Sequence, residues 1–277
     1  LTIVNRSGRQ AVRAKVVIDA TPDAALARQS QAEFQPFQPG EKEAQFIVVG
    51  GEPSEKGNSK KIPGVSFVSK QKQKGSEKTS IREYSIYQYT LSIPNEADTF
   101  RSRSRALNLM RSAAYDDGMV DHSERLLFFP DNPIIPAEAG NDNEGDLSPG
   151  VFRPKGVANF YVLSAYAGAI DSVRKTLFQS PCRLAPAGRK IGIEAATRAK
   201  EISSPAKLQF PGATTGKSDS TVSEVAASFR FQDCPQIELP AHDLPILGRW
   251  DVVVVGGGTS GAPAAIGASR SGARTLL

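Results

Sequence analysis

Cysteine, histidine and long apolar runs are scarce in this sequence. Cys182 and Cys234 are its only two cysteines, far apart and in no metal-ligand spacing, so neither a disulfide framework nor a zinc site is indicated. His122 and His242 are the only two histidines, which leaves little material for a metal or acid–base cluster. No apolar stretch approaches the roughly 20 residues needed to cross a bilayer. VVVV at Val252 to Val255 is among the longest and reads as a strand. No solenoid-type repeat is present. Leu1 is followed by no basic-then-apolar leader, and the chain stops at Leu277 inside an apolar run. Both ends therefore read as cuts in a longer protein, and compartment and oligomeric state stay open.

What is present is the composition of an ordinary globular protein, with 39% hydrophobic and 23% charged residues. A length of 277 residues holds one large domain or two modest ones. Formal net charge is +5, and much of the excess lies between Lys56 and Lys78, including Lys60, Lys61, Lys70, Lys72 and Lys74. That stretch carries no recognisable binding module, so it reads as a solvated loop and no nucleic-acid partner is expected.

Periodicity places elements along the chain. Residues 1–34 open with a hairpin: LTIVN, a turn around Ser7-Gly8, then AVRAKVVIDAT with Val16 to Ile18 as strand core, followed by a short helix in DAALARQS. FIVVGG from Phe46 is a short strand. Ile81, Tyr87, Tyr89, Leu91 and Ile93 fall on one side at period two, which predicts a half-buried strand of an antiparallel sheet. From Arg101 to Met119 the spacing turns helical, with Leu107, Met110 and Ala114 on one face. LLFFP, NPIIP and AGNDNEGDLSPG are extended or loop. VANFYVLSAYAGA at Val157 to Ala169 is a strand running into a small-residue turn, and Gly188 to Ile202 is an amphipathic helix with Ile191, Ala195, Ala199 and Ile202 as its buried stripe. Residues 203–247, rich in Ser, Thr, Pro and Gly, form a linker or peripheral layer with one helical pattern at Val222 to Phe229.

Asp251 to Leu277, DVVVVGGGTSGAPAAIGASRSGARTLL, is the segment that carries chemistry. A buried parallel strand runs directly into Gly256, Gly258 and Gly261 at G-x-G-x-x-G spacing, a small-residue helix follows, and Arg274 to Leu277 begins the next strand. Gly256 permits the tight turn, Gly258 lets the backbone approach a pyrophosphate, and Gly261 lets the helix sit close on the strand. The helix N-terminus supplies unpaired N–H groups and a positive dipole end, an anion site that needs no charged side chain. Ala264, Ala265 and Ala268 keep the gap between helix and sheet narrow.

This segment resembles the N-terminal fingerprint of the FAD-dependent oxidoreductase family, in the group with glutathione-reductase-like folds, and its GGGTSGAPAA form favours FAD over NAD. VRAKVVIDATPDAALA, Val12 to Ala27, is similar to the inner segment of such flavoproteins, where a strand ends in an A-T-G-D-A turn close to the flavin. Here Pro22 stands for the glycine, which removes an N–H and fixes φ. VANFYVLSAYAGA with GRKIGIEAATRA resembles the closing strand and helix of the same fold, although Ser164-Ala165-Tyr166-Ala167 replaces the usual Gly-Asp.

The resemblance implies an α/β fold with an α+β insert: Rossmann-type FAD-binding elements plus an antiparallel β region of the substrate-facing kind, over about residues 40–130. It implies FAD as cofactor and a small molecule as substrate. The cofactor-binding residues it points to are Gly256, Gly257, Gly258, Thr259, Ser260 and Gly261, with Asp23 in the inner segment. It assigns no catalytic residue and no metal ligand.

In the family the glycine fingerprint comes first, whereas here it comes last. A tandem explains this order: residues 1–202 are the later part of one flavoprotein-like unit, closed by the strand and helix of 157–202, and residues 248–277 open the next. A permuted single domain is the other arrangement. Pro22 and the missing Gly-Asp also admit a non-catalytic scaffold in 1–202, and the glycines alone admit an NAD-linked dehydrogenase. Three further features have ordinary readings. PGATTGKSDS at Pro211 to Ser220 has three residues between Gly212 and Gly216 where a phosphate loop needs four. His122, beside Asp116, Asp117, Asp121 and Glu124, reads as an acidic solvated turn, and Cys182 as a small hydrophobe.

Overall fold

The computed structural model describes residues 1–5, 8–53, 58–72, 79–123, 130–138, 147–178, 181–203 and 248–277. The chain divides into two compact units, Leu1–Gln232 and Asp233–Leu277. Helices combine with both parallel and antiparallel sheets, a mixed α/β architecture.

The first unit opens with an antiparallel hairpin, β1 (Thr2–Asn5) and β2 (Gly8–Ala11). The second arm of that hairpin is shorter than the sequence pattern indicated. Val17–Asp19 forms a separate strand, β3, because it pairs in parallel with β8 (Phe160–Val162) instead of folding back on β1. Phe160, Tyr161 and Val162 are all buried, as expected of a strand covered on both faces. Tyr161 packs with Val151, Phe152, Val173 and Ile191 on one face, while Phe160 and Val162 pack with Ala24, Ala27 and Ile134 on the other. Alternate side chains of one strand thereby reach two separate cores.

Helix α1 (Ala25–Gln29) contributes to the second of these cores, and α3 (Asp171–Phe178) and α4 (Pro181–Glu201) to the first. The helix read from Gly188 begins at Pro181, with Pro186 inside it. Ile191 and Ala195 are buried; Ala199 and Ile202 are half-buried.

Between β3 and β8 lies a four-stranded antiparallel sheet in the order β5-β6-β4-β7. Its members are β4 (Gly40–Gly50), β5 (Asn58–Lys72), β6 (Thr79–Asn95) and β7 (Met119–His122). Helix α2 (Phe100–Ala114) covers one face, closing a core of Ala44, Phe46, Val48, Tyr89, Ile93, Ala106, Met110 and Ala114. Thr99 caps α2 by accepting the Ser102 N–H at 3.2 Å. The helix stops at Ala114, short of Met119, because Asp116 Oδ1 accepts the Gly118 N–H at 2.8 Å and turns the chain into β7.

Two expectations need correcting here. Lys60, Lys61, Lys70 and Lys72 do not sit in a solvated loop; they lie on β5, which pairs with β6 from Asn58↔Thr90 to Lys72↔Thr79. Ile62, Val65, Phe67 and Val68 supply strand-forming side chains among the lysines, and pairing with β6 organises what composition alone left polar. Ile81 shares the side of Tyr87, Tyr89, Leu91 and Ile93 but is 65% exposed and not half-buried, because β4 stops pairing with β6 at Val49↔Ile86 and Ile81 is outside the core closed by α2. Tyr87, Tyr89, Leu91 and Ile93 do line the core.

The second unit, within its described residues, is β9 (Val252–Val253), α5 (Gly261–Arg270) and β10 (Thr275–Leu276), with the strands parallel. The helical pattern at Val222 to Phe229 lies outside the described residues.

Phe46 is fully buried between the sheet and α2, so Phe46→Ala should destabilise the first unit by about 3–5 kcal/mol, read as a lowered midpoint in urea unfolding.

Candidate functional site

In the second unit the strand-turn-helix junction is built by backbone. Thr275 and Leu276 lie beside Val252 and Val253, and the pairing continues where the Val254 N–H donates to Leu276 O at 2.9 Å. At the strand's other end the Arg274 N–H donates to Asp251 Oδ2 at 2.9 Å, fixing the return of the chain. Gly256 has φ +108°, a left-handed backbone that favours glycine. A Cβ on Gly261 would overlap the Gly256 carbonyl oxygen and stand 3.5 Å from Val254 Cγ1. The helix can start against the strand only because that atom is missing.

A Cβ on Gly258, by contrast, would meet nothing within 4 Å. Gly256, Gly257, Gly258, Thr259 and Ser260 are all exposed, and Gly261 is half-buried. Intrahelical bonding starts with the Ala262 N–H to Gly258 O at 3.1 Å and the Ala264 N–H to Ser260 O at 3.2 Å. The Ser260 side chain makes no cap, and Pro263 has no N–H to offer. The amides from Gly257 to Gly261 donate to no group among the described residues. Such a set of free N–H groups at the positive end of a helix is suited to a phosphate or diphosphate.

In the first unit the inner and closing segments come together. The β3–β8 pairing runs Val17↔Phe160 to Asp19↔Val162, and the Leu163 N–H continues it to Asp19 O at 2.8 Å. The turns after the two strands therefore emerge on the same side. Asp19 is fully buried and organises the first of them. Its Oδ1 accepts from the Thr21 N–H (3.0 Å) and Thr21 Oγ1 (2.6 Å); its Oδ2 accepts from the N–H groups of Leu26 (2.9 Å) and Ala27 (3.0 Å). Pro22 is exposed within this turn, and Ala24 takes φ 51° at the start of α1. Asp23 is half-buried; its carbonyl accepts from Arg28 Nε at 3.0 Å, and its carboxylate has no partner among the described residues.

The second turn, Ser164-Ala165-Tyr166-Ala167, is closed by the protein itself. The Tyr166 N–H donates to Ser164 Oγ (3.3 Å), the Ala167 N–H to Ser164 O (2.9 Å) and the Gly168 N–H to Val151 O (2.7 Å). Arg174, 1% exposed, donates through Nη1 to Ala165 O at 2.5 Å and pairs through Nη2 with Asp171. Tyr166 lies against Arg28, whose guanidinium stands 4.8 Å from the Tyr166 ring and 4.6 Å from Phe34. Arg28 also pairs with Asp98 at 2.5 Å, and Arg103 and Asn132 bond the same carboxylate at 2.9 and 2.7 Å. Burial pushes the Tyr166 hydroxyl up from its usual range, against the opposing pull of Arg28.

The remaining candidates have local roles or fall outside the described residues. His122 stacks on Phe46 at 5.3 Å, with Nδ1 2.9 Å from Ser123 O. Asp116 and Asp121 accept neighbouring backbone N–H groups, and Asp117 accepts from Tyr115 Oη at 2.9 Å. Among the described residues no group of three or more His, Cys, Asp or Glu is placed to hold a metal ion. Likewise no described helix is long and apolar enough to cross a membrane. Cys182 is on α4. Glu124, Cys234, His242 and the stretch Pro211 to Ser220 lie outside the described residues.

Asp19, Arg28 and Arg174 were not legible as organisers of this region. Asp19 sits one step before the A-T-x-D-A resemblance, and the partners of Arg28 and Arg174 come from segments remote in sequence. On the far side of β8, buried Tyr161 donates to Glu194 Oε1 at 2.7 Å; burial, then that bond, pushes its hydroxyl up to about 12. A raised native value leaves this stabilisation intact below the unfolded tyrosine value of about 10 and removes it as pH climbs to about 12. Tyrosinate absorbance should therefore show Tyr161 ionising late, and Tyr161→Phe should abolish that step and flatten the alkaline loss of stability. Comparison of the chain with protein-family models, with curated proteins and with solved structures found no match.

Proposed function

We propose that residues 248–277 form the diphosphate-binding opening of an FAD-dependent oxidoreductase acting on a small-molecule substrate. The observation that carries this reading is the row of unpartnered amides from Gly257 to Gly261, at a junction where a side chain on Gly261 has no room and one on Gly258 would stand in open space. The residues fit the group. Gly257, Gly258, Thr259, Ser260 and Gly261 would hold the diphosphate through backbone N–H groups, and the dipole of α5 favours its negative charge. When bound, the isoalloxazine supplies the two-electron redox chemistry that protein side chains lack. This chain's own part is to orient the dinucleotide and to keep the helix close on its strand. The same geometry suits NAD, and the GGGTSGAPAA form is what favours FAD.

A second reading, for Leu1–Gln232, rests on a separate observation. The amides of Tyr166, Ala167 and Gly168 are all spent within the protein, and the Tyr166 ring is held against Arg28 and Phe34. That favours a flavoprotein-like scaffold for this unit over a second cofactor site.

Titrating the 277-residue chain with ADP, FAD and NADH, followed by amide NMR, tests both readings. FAD and ADP should shift the Gly257–Gly261 amides and leave Tyr166–Gly168 unmoved, and Gly261→Val should abolish the response. Unmoved glycine amides at millimolar nucleotide would end the dinucleotide reading. A response to NADH but not FAD would transfer the site to the nicotinamide cofactor.

A further inference from the structure

The antiparallel sheet has an outer strand whose features have no use in the reading above. β5 stands at one end of the order β5-β6-β4-β7, so its outer edge has no strand partner among the described residues. In an antiparallel ladder alternate residues direct N–H and C=O toward the neighbour, and the others direct them outward. β5 thus presents a row of free backbone donors and acceptors. Its sequence, NSKKIPGVSFVSKQK, contains four lysines and no acid. The residues directly across from Lys60, Lys61, Lys70 and Lys72 are Gln88, Tyr87, Ile81 and Thr79, none of them acidic; the one acid of β6, Glu83, stands opposite Val68, diagonal to Lys70.

Beyond Lys61 the strand bulges through Ile62-Pro63-Gly64-Val65, where Gly64 has φ +71°, and resumes pairing at Ser66↔Ser85. From there to Lys72↔Thr79, β5 and β6 form a two-stranded ribbon that β4 does not reach. This ribbon carries apolar side chains on both faces. Phe67 and Tyr84 share one face, with ring centroids 6.4 Å apart; Val68 and Ile81 share the other. Phe67, Val68 and Ile81 are 43%, 47% and 65% exposed.

We propose that the free edge of β5 receives an extended, acidic segment of another protein as a fifth strand. Side chains of an added strand alternate across the sheet, so one strand packs beside Phe67 on one face and beside Val68 on the other. A flat protein surface or a lipid layer would cover one face only. A second copy of β5 would set lysine against lysine, which opposes pairing. Glutamates or aspartates alternating with β-branched residues meet both demands, giving cross-strand ion pairs and apolar cover. Affinity would come from main-chain hydrogen bonds and selectivity from charge.

The test uses the full chain and a short fluorescein-labelled peptide of alternating glutamate and valine, read by fluorescence anisotropy and by amide hydrogen exchange. Binding in the micromolar range is expected, with slowed exchange at alternate positions of Ser66 to Lys72. The triple variant Lys60→Glu, Lys61→Glu, Lys70→Glu should weaken it by about tenfold or more and take up a lysine–valine peptide instead. Because these side chains are exposed, the variant should keep the parent's circular dichroism. A glutamate–valine peptide N-methylated at alternate residues cannot pair as a strand, and should not bind the unaltered chain. The proposal is overturned if the first peptide fails to bind at millimolar concentration or if the N-methylated peptide binds equally well. It is likewise overturned if duplex nucleic acid or phosphatidylglycerol vesicles bind in place of the peptide, or if sedimentation shows self-association through this edge.

Discussion

In the first unit, three residues of β3 lie beside three residues of β8, and almost everything else depends on that short parallel contact. The two strands are separated by the whole antiparallel sheet and α2, so the pairing closes a very long loop. The entropy of that closure grows only logarithmically with length, which is why a well-packed contact of this size can hold it. Burial supplies the packing: Tyr161 enters the core beneath α4, and Phe160 and Val162 enter the core with α1. The buried Asp19 carboxylate adds direction, since its four accepted bonds set the turn into α1 and leave none of its charge unanswered.

The same unit ties the region of the β3–β8 pair to the four-stranded sheet electrostatically. Arg28 from α1 meets Asp98 at the entry to α2, with Arg103 and Asn132 on the same carboxylate and two aromatic rings against the guanidinium. A planar cation that stacks on rings while it pairs with a carboxylate is a role lysine cannot fill. The turn after β8 is drawn into this network through Tyr166, and the amides of Tyr166, Ala167 and Gly168 are spent on Ser164 and Val151. The glycine turn of the second unit is the opposite case: its amides have no acceptor among the described residues, and the Ser260 side chain makes no cap.

How much of this was legible in the sequence depended on the distance over which each feature is decided. The antiparallel strand through Tyr87 and Ile93, α2, α4 and the two strands flanking α5 could be read because period and small-residue pattern act within a few residues. Boundaries moved where a local bond intervened, as at Asp116 after α2. The lysine-rich strand β5 was misread as a loop because its stability comes from β6, not from its own composition. Asp23 stood out by its place in a familiar turn, yet the aspartate that builds that turn is Asp19, which only its backbone partners reveal.

The sequence by itself determined the junction at Gly256 to Gly261, because a left-handed φ and an approach too close for a Cβ are demands that glycine alone meets, wherever the rest of the chain goes. Tertiary structure alone decided that Val17–Asp19 pairs with Phe160–Val162, that the Tyr166 turn closes on itself and that β5 ends the sheet. Each of these depends on partners distant along the chain, and side-chain type carries no record of which remote backbone will satisfy its hydrogen bonds.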